Sequence, residues 1–177
     1  KKKVFGYPKF DESGEMILTT YENEYRDMLM DIRVYKLEKN QTKIFTSDDE
    51  EIAVLLLNGK IEINVDGIEK IVSRKSVFLE GPYAGHVSHS KIISAKALEE
   101  TEVLVQKTKN KVTFKSKLYT PEDAPWKYSS QGWYGNVANR RVNTIIDHDI
   151  EPKSNMVLGE VLNDPGNWSG YLPHRHP

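Results

Sequence analysis

The fold is decided by the stretch Ile52-Ala-Val-Leu-Leu-Leu-Asn-Gly-Lys-Ile-Glu-Ile-Asn-Val-Asp-Gly67. It begins with an apolar run that is too short for a helix, and Asn58-Gly59 follows at once. Apolar and polar residues then alternate from Ile61 to Val65, and Asp66-Gly67 closes the run. Asn-Gly and Asp-Gly favour tight turns whose twist matches that of paired strands. The stretch therefore predicts consecutive β-hairpins that turn at Asn58-Gly59 and at Asp66-Gly67.

Short strands are also predicted on both sides of this stretch. Residues 1–27 are interpreted as an extended lead-in with one strand, and helical periodicity is nowhere sustained. The further predicted strands are 28–37, 43–46, 68–72, 76–79, 92–97, 103–106, a basic edge strand through Val112 and Phe114, 140–146 and 156–162. Many short strands with frequent turns are typical of a sandwich or a barrel. The expected fold class is therefore all-β, with an antiparallel jelly-roll barrel.

The composition excludes several classes of protein. The 177 residues carry 25 Lys and Arg against 26 Asp and Glu, so no broad positive field attracts nucleic acid or anionic lipid. The chain has no cysteine, which excludes disulfides and thiolate metal sites and suits a cytoplasmic protein. No apolar run approaches the length of a membrane span or follows Lys1-Lys2-Lys3 as a signal peptide would. We expect a cytoplasmic protein with no nucleic-acid or membrane partner.

Two histidines in the middle of the chain are weighed as metal ligands. His86 and His89 lie three positions apart in a predicted loop that begins at Gly81-Pro82. Residues on one strand face are two positions apart, so this spacing does not suit neighbouring ligands. No glutamate is found at a matching distance in a predicted strand, and most histidines in loops are solvated. We expect no metal at His86 or His89.

The chain ends with a second pair of histidines in Tyr171-Leu-Pro-His-Arg-His-Pro177. On a strand, residues i and i+2 point to the same face, so His174 and His176 would present two imidazoles side by side. Imidazole is the commonest ligand for such metals. A pair at this spacing also arises by chance, so it indicates a divalent metal site only together with its context.

The residues before this pair resemble the signature of one family. They are Gly159-Glu160-Val161, Pro165-Gly-Asn-Trp-Ser169 and Tyr171-Leu-Pro-His-Arg-His176. They are similar to the 5-deoxy-glucuronate isomerases of myo-inositol catabolism, which are bicupins whose second barrel carries Gly-Asn-Trp-Ser-Ser and His-Lys-His-Asp. This chain differs at Gly170, Leu172, Arg175 and Pro177. The rest of the chain fits the first barrel of that family in length and hairpin order.

The resemblance implies a division of the chain. Residues 1–118 would be a cupin-type barrel without a metal site, 119–139 an inter-barrel connection, and 140–177 the beginning of a second cupin barrel. The connection is rich in Pro, Gly and aromatic residues, and we expect it to pack through its own rings. The family pattern adds a glutamate and a third histidine after the His pair. Because neither is present here, we expect the chain to be a fragment.

The resemblance also implies roles for individual residues. His174 and His176 would hold a divalent metal, zinc or manganese, in the full-length protein, and this chain alone need not hold it. Arg140 and Arg141 are candidate substrate-binding residues, because guanidinium groups bind carboxylates bidentately, although both could equally face outward. Trp168 and Tyr171 border the expected pocket, and each could equally serve packing. No catalytic residue is assigned.

The activity that the resemblance implies is an aldose–ketose isomerisation, from 5-deoxy-glucuronate to 5-dehydro-2-deoxy-gluconate. The metal would polarise the carbonyl, and a general base would move a proton between neighbouring carbons. Two alternatives stay open: the related 4-deoxy-5-hexosulose-uronate ketol-isomerase, and a sugar-binding cupin module without catalysis. We expect a small-molecule sugar acid as the ligand and a homo-oligomeric assembly.

Overall fold

The computed structural model describes residues 6–169, which form β-strands and one three-residue helix. The strands are β1 Glu15–Thr19, β2 Asp31–Leu37, β3 Thr42–Thr46, β4 Glu50–Val65, β5 Ile68–Arg74, β6 Ala84–Val87, β7 Ile92–Ala97, β8 Thr101–Lys109, β9 Lys117–Tyr119, β10 Lys127–Ser129, β11 Arg140–Ile146 and β12 Leu158–Asn163. The helix is a 3-10 turn at Arg26–Met28. Within residues 6–169, no helix is long and apolar enough to span a bilayer. The predicted all-β, cupin-type antiparallel fold is confirmed.

Strand β4 organises the barrel because it belongs to two sheets. Its first half pairs with β8 and β6 in a sheet of order β1-β2-β8-β4-β6-β9. Its second half pairs with β5 and β7, and β7 in turn pairs with β3. A separate three-stranded sheet has the order β10-β11-β12. All of these pairs are antiparallel, so one long strand joins the two walls of the barrel.

The predicted hairpin turn at Asn58-Gly59 is wrong, because β4 continues through it. The ladder with β8 shifts register between Leu56 and Asn58, and Gly59 has a φ of 98°. A bulge with a glycine of positive φ is how a strand bends from one sheet into another. The turn at Asp66-Gly67 is confirmed: both residues have positive φ, 50° and 94°, as a two-residue hairpin requires.

Other predicted strands also differ from the structure. Residues 76–79 form a turn instead, in which the backbone N–H groups of Leu79 and Glu80 donate to the Ser76 carbonyl. The basic segment has no strand at Val112 or Phe114, and β9 begins only at Lys117. In the first case local hydrogen bonds replace the ladder. In the second case the Asn110 side chain accepts the Val112 N–H and turns the chain.

Two apolar layers result from the alternation of side chains along β4. Ile52, Val54 and Leu56 point into the barrel, which is filled by apolar side chains from all of its walls. Ala53 and Leu55 point outward and pack against the three-stranded sheet and its connections. The other buried members of this outer layer are Ala84, Tyr119, Ala124, Ile145, Ile146, Met156 and Leu158. The outer layer therefore fixes the three-stranded sheet on the wall of the barrel.

The bend at Gly59 can be tested against a matched glycine. Replacing Gly59 by Ala forces a side chain into positive φ and brings its Cβ to 2.6 Å from the Glu100 carbonyl oxygen. Gly67 has a similar φ, but nothing lies within 4 Å of a Cβ placed there. Gly67→Ala should lower the free energy of unfolding by about 1–2 kcal/mol from backbone strain alone. In urea denaturation, Gly59→Ala should lower the free energy of unfolding by roughly 3 kcal/mol or more. Equal decreases in the two variants would contradict the close packing at the bend.

Candidate functional site

The three-stranded sheet has one open face and one face that the barrel covers at Asn143 and Glu160, while Tyr128 at the β10 edge of that face stays exposed. Asn143 of β11 lies opposite Glu160 of β12, and Glu160 in turn bonds to the barrel. Val142 lies opposite Val161 on the other side, where Val161 is half exposed. Alternate residues of paired strands share a face. We call the second side the open face, and its residues are Lys127, Ser129, Arg140, Val142, Thr144, Gly159, Val161 and Asn163.

The two candidate arginines lie on opposite faces, because they are neighbours on β11. Arg140 is on the open face, where its Nη1 donates to Ser130 Oγ at 3.3 Å and to the Ala138 carbonyl at 3.2 Å. Arg141 is on the covered face, with its guanidinium carbon 6.0 Å from the centre of the Trp126 ring. The structure therefore does not bring the two guanidinium groups together, and a substrate-binding role for either stays a prediction.

A loop at residues 130–139 joins Arg140 to the Asn167-Trp168 motif. The Trp168 N–H donates to the Val137 carbonyl at 2.7 Å, and Asn167 Nδ2 donates to the Asn139 carbonyl at 3.0 Å. The Trp168 ring lies 5.8 Å from the Tyr134 ring, which is 6.4 Å from the Trp133 ring. This loop lies in the expected connection at 119–139, and β10, inside the same segment, pairs with β11.

The expected metal ligands and one pocket residue lie outside the described residues. His174, His176 and Tyr171 belong to this part of the chain, and their predicted roles stay predictions. Within residues 6–169, no group of three or more His, Cys, Asp or Glu side chains is placed to hold a metal ion. Trp168 is six positions before His174, a span of at most about 20 Å of extended chain.

His86 does not lie in a solvated loop, and that prediction is wrong. It belongs to β6, is buried, and its Nε2 lies 3.1 Å from Glu51 Oε2. Both residues point outward from the barrel into the outer apolar layer. The predicted absence of a metal at His86 and His89 stays a prediction. His89 is partly exposed, with Nδ1 3.2 Å from Ser90 Oγ.

The buried Glu51 carboxylate ties the barrel to the segment before β12. Its Oε1 accepts the Asn155 N–H at 2.6 Å, and its Oε2 accepts the Ser154 hydroxyl at 2.9 Å. The Phe114 ring covers His86 at 4.6 Å between centres. These hydrogen bonds replace the water that would otherwise solvate the Glu51 carboxylate. They therefore offset the free-energy cost of burying it. The cluster holds the two layers together.

A second buried tie joins β5 to β12. The Arg74 guanidinium is fully buried and binds Glu160 through two bonds of 2.7 and 2.8 Å. It also donates to the carbonyls of Leu56 and Glu80. Asn143 Nδ2 donates to Glu160 at 2.9 Å, and the Glu160 N–H donates back to Asn143 Oδ1 at 2.9 Å. Glu160 of the Gly159-Glu160-Val161 motif therefore orients β12.

Sequence reasoning missed these two ties for a specific reason. Glu51 and His86 are 35 positions apart, and Arg74 and Glu160 are 86 positions apart. Neither pair shares a strand, so no period in the sequence connects them. The only local signal is the unusual place of Glu51, an acidic residue at the start of the apolar run from Ile52.

Comparison with known proteins identifies the family that this sequence matches. A family model described as the KduI/IolB family matches residues 6–177. A 5-deoxy-glucuronate isomerase of Geobacillus kaustophilus is 30% identical over 172 residues, covering 94% of this chain and 59% of that protein. The enzyme of the same name from Geobacillus thermodenitrificans is 30% identical, covering 94% and 60%. The chain thus spans about three fifths of the length of these relatives.

Solved structures share the fold at low sequence identity. An IolB-like protein from Salmonella typhimurium superposes with a TM-score of 0.71 at 16% identity, covering 89% of this chain and 59% of that one. The YlbA protein of Escherichia coli gives a TM-score of 0.54 at 10% identity, covering 80% and 54%. At these identities, the two structures show that the fold is shared, and nothing about function is taken from them.

Removing Arg74 should be far more damaging than removing a partly exposed arginine. Arg74→Ala leaves the Glu160 carboxylate and two carbonyls without their buried donor, so the free energy of unfolding should fall by about 3–5 kcal/mol. Arg33, whose side chain is 29% exposed, pairs with Glu15 and Asp31. Arg33→Ala should lower the free energy of unfolding by about 1 kcal/mol or less. Urea denaturation of both variants checks this, and similar losses would contradict a tie through Arg74.

Proposed function

We propose, because the chain belongs to the KduI/IolB family, that it is part of an isomerase that converts 5-deoxy-glucuronate to 5-dehydro-2-deoxy-gluconate. The observation that carries the proposal is the alignment of 94% of this chain with relatives named 5-deoxy-glucuronate isomerase. Since the chain spans 59% and 60% of those two relatives, the activity is proposed for the whole protein to which it belongs.

Arg140 is the arginine that we propose to bind the carboxylate of the sugar acid. It lies on the open face, and its two hydrogen bonds, of 3.2 and 3.3 Å, are at the long end of the range. A carboxylate could replace them with shorter, charge-assisted bonds. Arg141 faces Trp126 on the covered side and is the weaker candidate. Trp168 and Tyr171 would border the same pocket.

The reaction requires a proton to move between two neighbouring carbons through an enediol. A divalent ion, zinc or manganese, bound by His174 and His176 would polarise the carbonyl of the sugar. The open face would hold the carboxylate end, so that the reacting carbons keep one position relative to the general base. That base is not assigned to any residue here. Apolar side chains fill the interior of the barrel, and we therefore propose that the sugar acid binds at the three-stranded sheet.

Two other functions compete with this one. The first is the related 4-deoxy-5-hexosulose-uronate ketol-isomerase, which also acts on a sugar acid. The name shared by the two relatives reported above favours 5-deoxy-glucuronate as the substrate. The second is a sugar-binding module without catalysis, which would bind the sugar acid and leave it unchanged. An assay of the whole protein on both sugar acids separates the three.

Replacing either terminal histidine should remove metal and activity together. In the whole protein, His174→Ala or His176→Ala takes away one imidazole ligand, so metal affinity should fall by about 10-fold or more. Isomerase activity on 5-deoxy-glucuronate should fall with the metal content measured by elemental analysis.

His89→Ala is the matched control, because His89 is partly exposed on the barrel and bonds to Ser90. It should keep both metal and activity. Normal activity in the double variant of His174 and His176 would refute the metal-assisted mechanism. Metal loss in His89→Ala would place the metal in the barrel instead.

A further inference from the structure

We infer that the loop at residues 130–139 forms an aromatic wall for the ring of the sugar acid, with Trp133 and Tyr134 as further substrate-binding residues beside Trp168. This inference rests on the proposed function and extends it to residues that the sequence predicted only to pack within the connection at 119–139. It is supported by the exposure of three rings, by the backbone of the loop, and by the position of Arg140.

Three aromatic side chains are exposed together at one place on the surface. Trp133, Tyr134 and Trp168 are 52%, 51% and 48% exposed, and their rings contact one another in series. They come from two segments more than 30 positions apart in the sequence. A contiguous aromatic patch of this kind on a protein surface usually marks a binding site. Sugar rings stack on such faces through their C–H groups.

The loop that presents two of these rings has an unusual backbone. Five of its residues have positive φ: Ser130 (59°), Gly132 (83°), Tyr134 (52°), Gly135 (65°) and Asn136 (72°). Positive φ costs about 1–2 kcal/mol in a residue such as Tyr134. Asn136 holds the loop in place, since its Oδ1 accepts the Gly132 N–H at 3.0 Å. Strain that the surrounding structure maintains tends to occur at functional sites.

Arg140, the first residue of β11, follows the loop directly and supplies the charge. Its Nη1 bonds to Ser130 Oγ at the start of the loop and to the Ala138 carbonyl near its end. Trp168 is fixed to the loop by its backbone bond to Val137. The loop therefore carries two of the rings and is hydrogen-bonded both to the Arg140 guanidinium and to the segment that carries the third ring. A carboxylate and an apolar ring face are the two features of a hexuronate that these groups complement.

The inference is tested by binding of D-glucuronate to the whole protein, measured by titration calorimetry. Trp133→Ala removes one ring, and Tyr134→Asn removes another with a residue that tolerates positive φ. Each variant should bind about tenfold more weakly. Trp133→Phe and Tyr134→Phe keep a ring and should bind within about threefold of the unmodified protein.

Tyr128→Ala is the matched control. Tyr128 is 63% exposed on β10, opposite Arg141, and so lies on the other face of the same sheet. Its removal should leave the affinity for D-glucuronate unchanged. Unchanged affinity in both Trp133→Ala and Tyr134→Asn would overturn the inference, as would an equal loss in Tyr128→Ala.

A second measurement does not depend on the folding of the ring-deletion variants. In protein labelled with 5-fluorotryptophan, the fluorine resonance of Trp133, assigned with Trp133→Phe, should shift as D-glucuronate is added. No shift at saturating D-glucuronate would overturn the inference. Failure of the proposed function gives a different result: the protein would bind D-glucuronate at this wall but would not convert 5-deoxy-glucuronate.

Discussion

The packing of the three-stranded sheet on the outer wall of the barrel is the constraint on which the rest of the structure depends. An apolar layer fills the contact, and the buried ion pair between Arg74 and Glu160 crosses it. A buried ion pair contributes little net stability, because desolvation offsets the attraction. What it does here is set the position of β12 on the barrel, since either partner alone would be a buried, unpaired charge. This contact also determines which face of the three-stranded sheet packs on the barrel and which face stays open.

The barrel and the three-stranded sheet therefore have different roles. The barrel interior is closed by apolar side chains, and β4 contributes to that interior and to the outer layer with alternate residues. Close packing of this kind leaves little space for a polar ligand. The open face carries Arg140, the adjoining loop carries Trp133 and Tyr134, and Trp168 contacts that loop. The barrel thus serves as a rigid support, while the three-stranded sheet and the loop at 130–139 present the groups that we propose to bind a sugar acid.

Much of the fold could be predicted from the sequence, because alternation of period two needs only neighbouring residues. The strands at 92–97 and 140–146 were predicted with the bounds that the structure has. The bend at Gly59 was mistaken for a turn, because both features require a glycine with positive φ. His86 follows Gly81-Pro82, which resembles the start of a loop, and its partner Glu51 is adjacent only through the pairing of β4 with β6.

The candidate site was only partly predictable. Arg140 and Trp168 were predicted as site residues from the family resemblance, but the separation of Arg140 from Arg141 depends on which face of β11 each side chain occupies. Trp133 and Tyr134 gave no periodic signal, because the loop takes its shape from single residues with positive φ. The most direct measurement is a crystal structure of the whole protein with D-glucuronate. The carboxylate should lie within hydrogen-bond distance of Arg140 and the sugar ring against Trp133, Tyr134 or Trp168, whereas a ligand bound on the Arg141 side or inside the barrel would contradict the assignment of the open face.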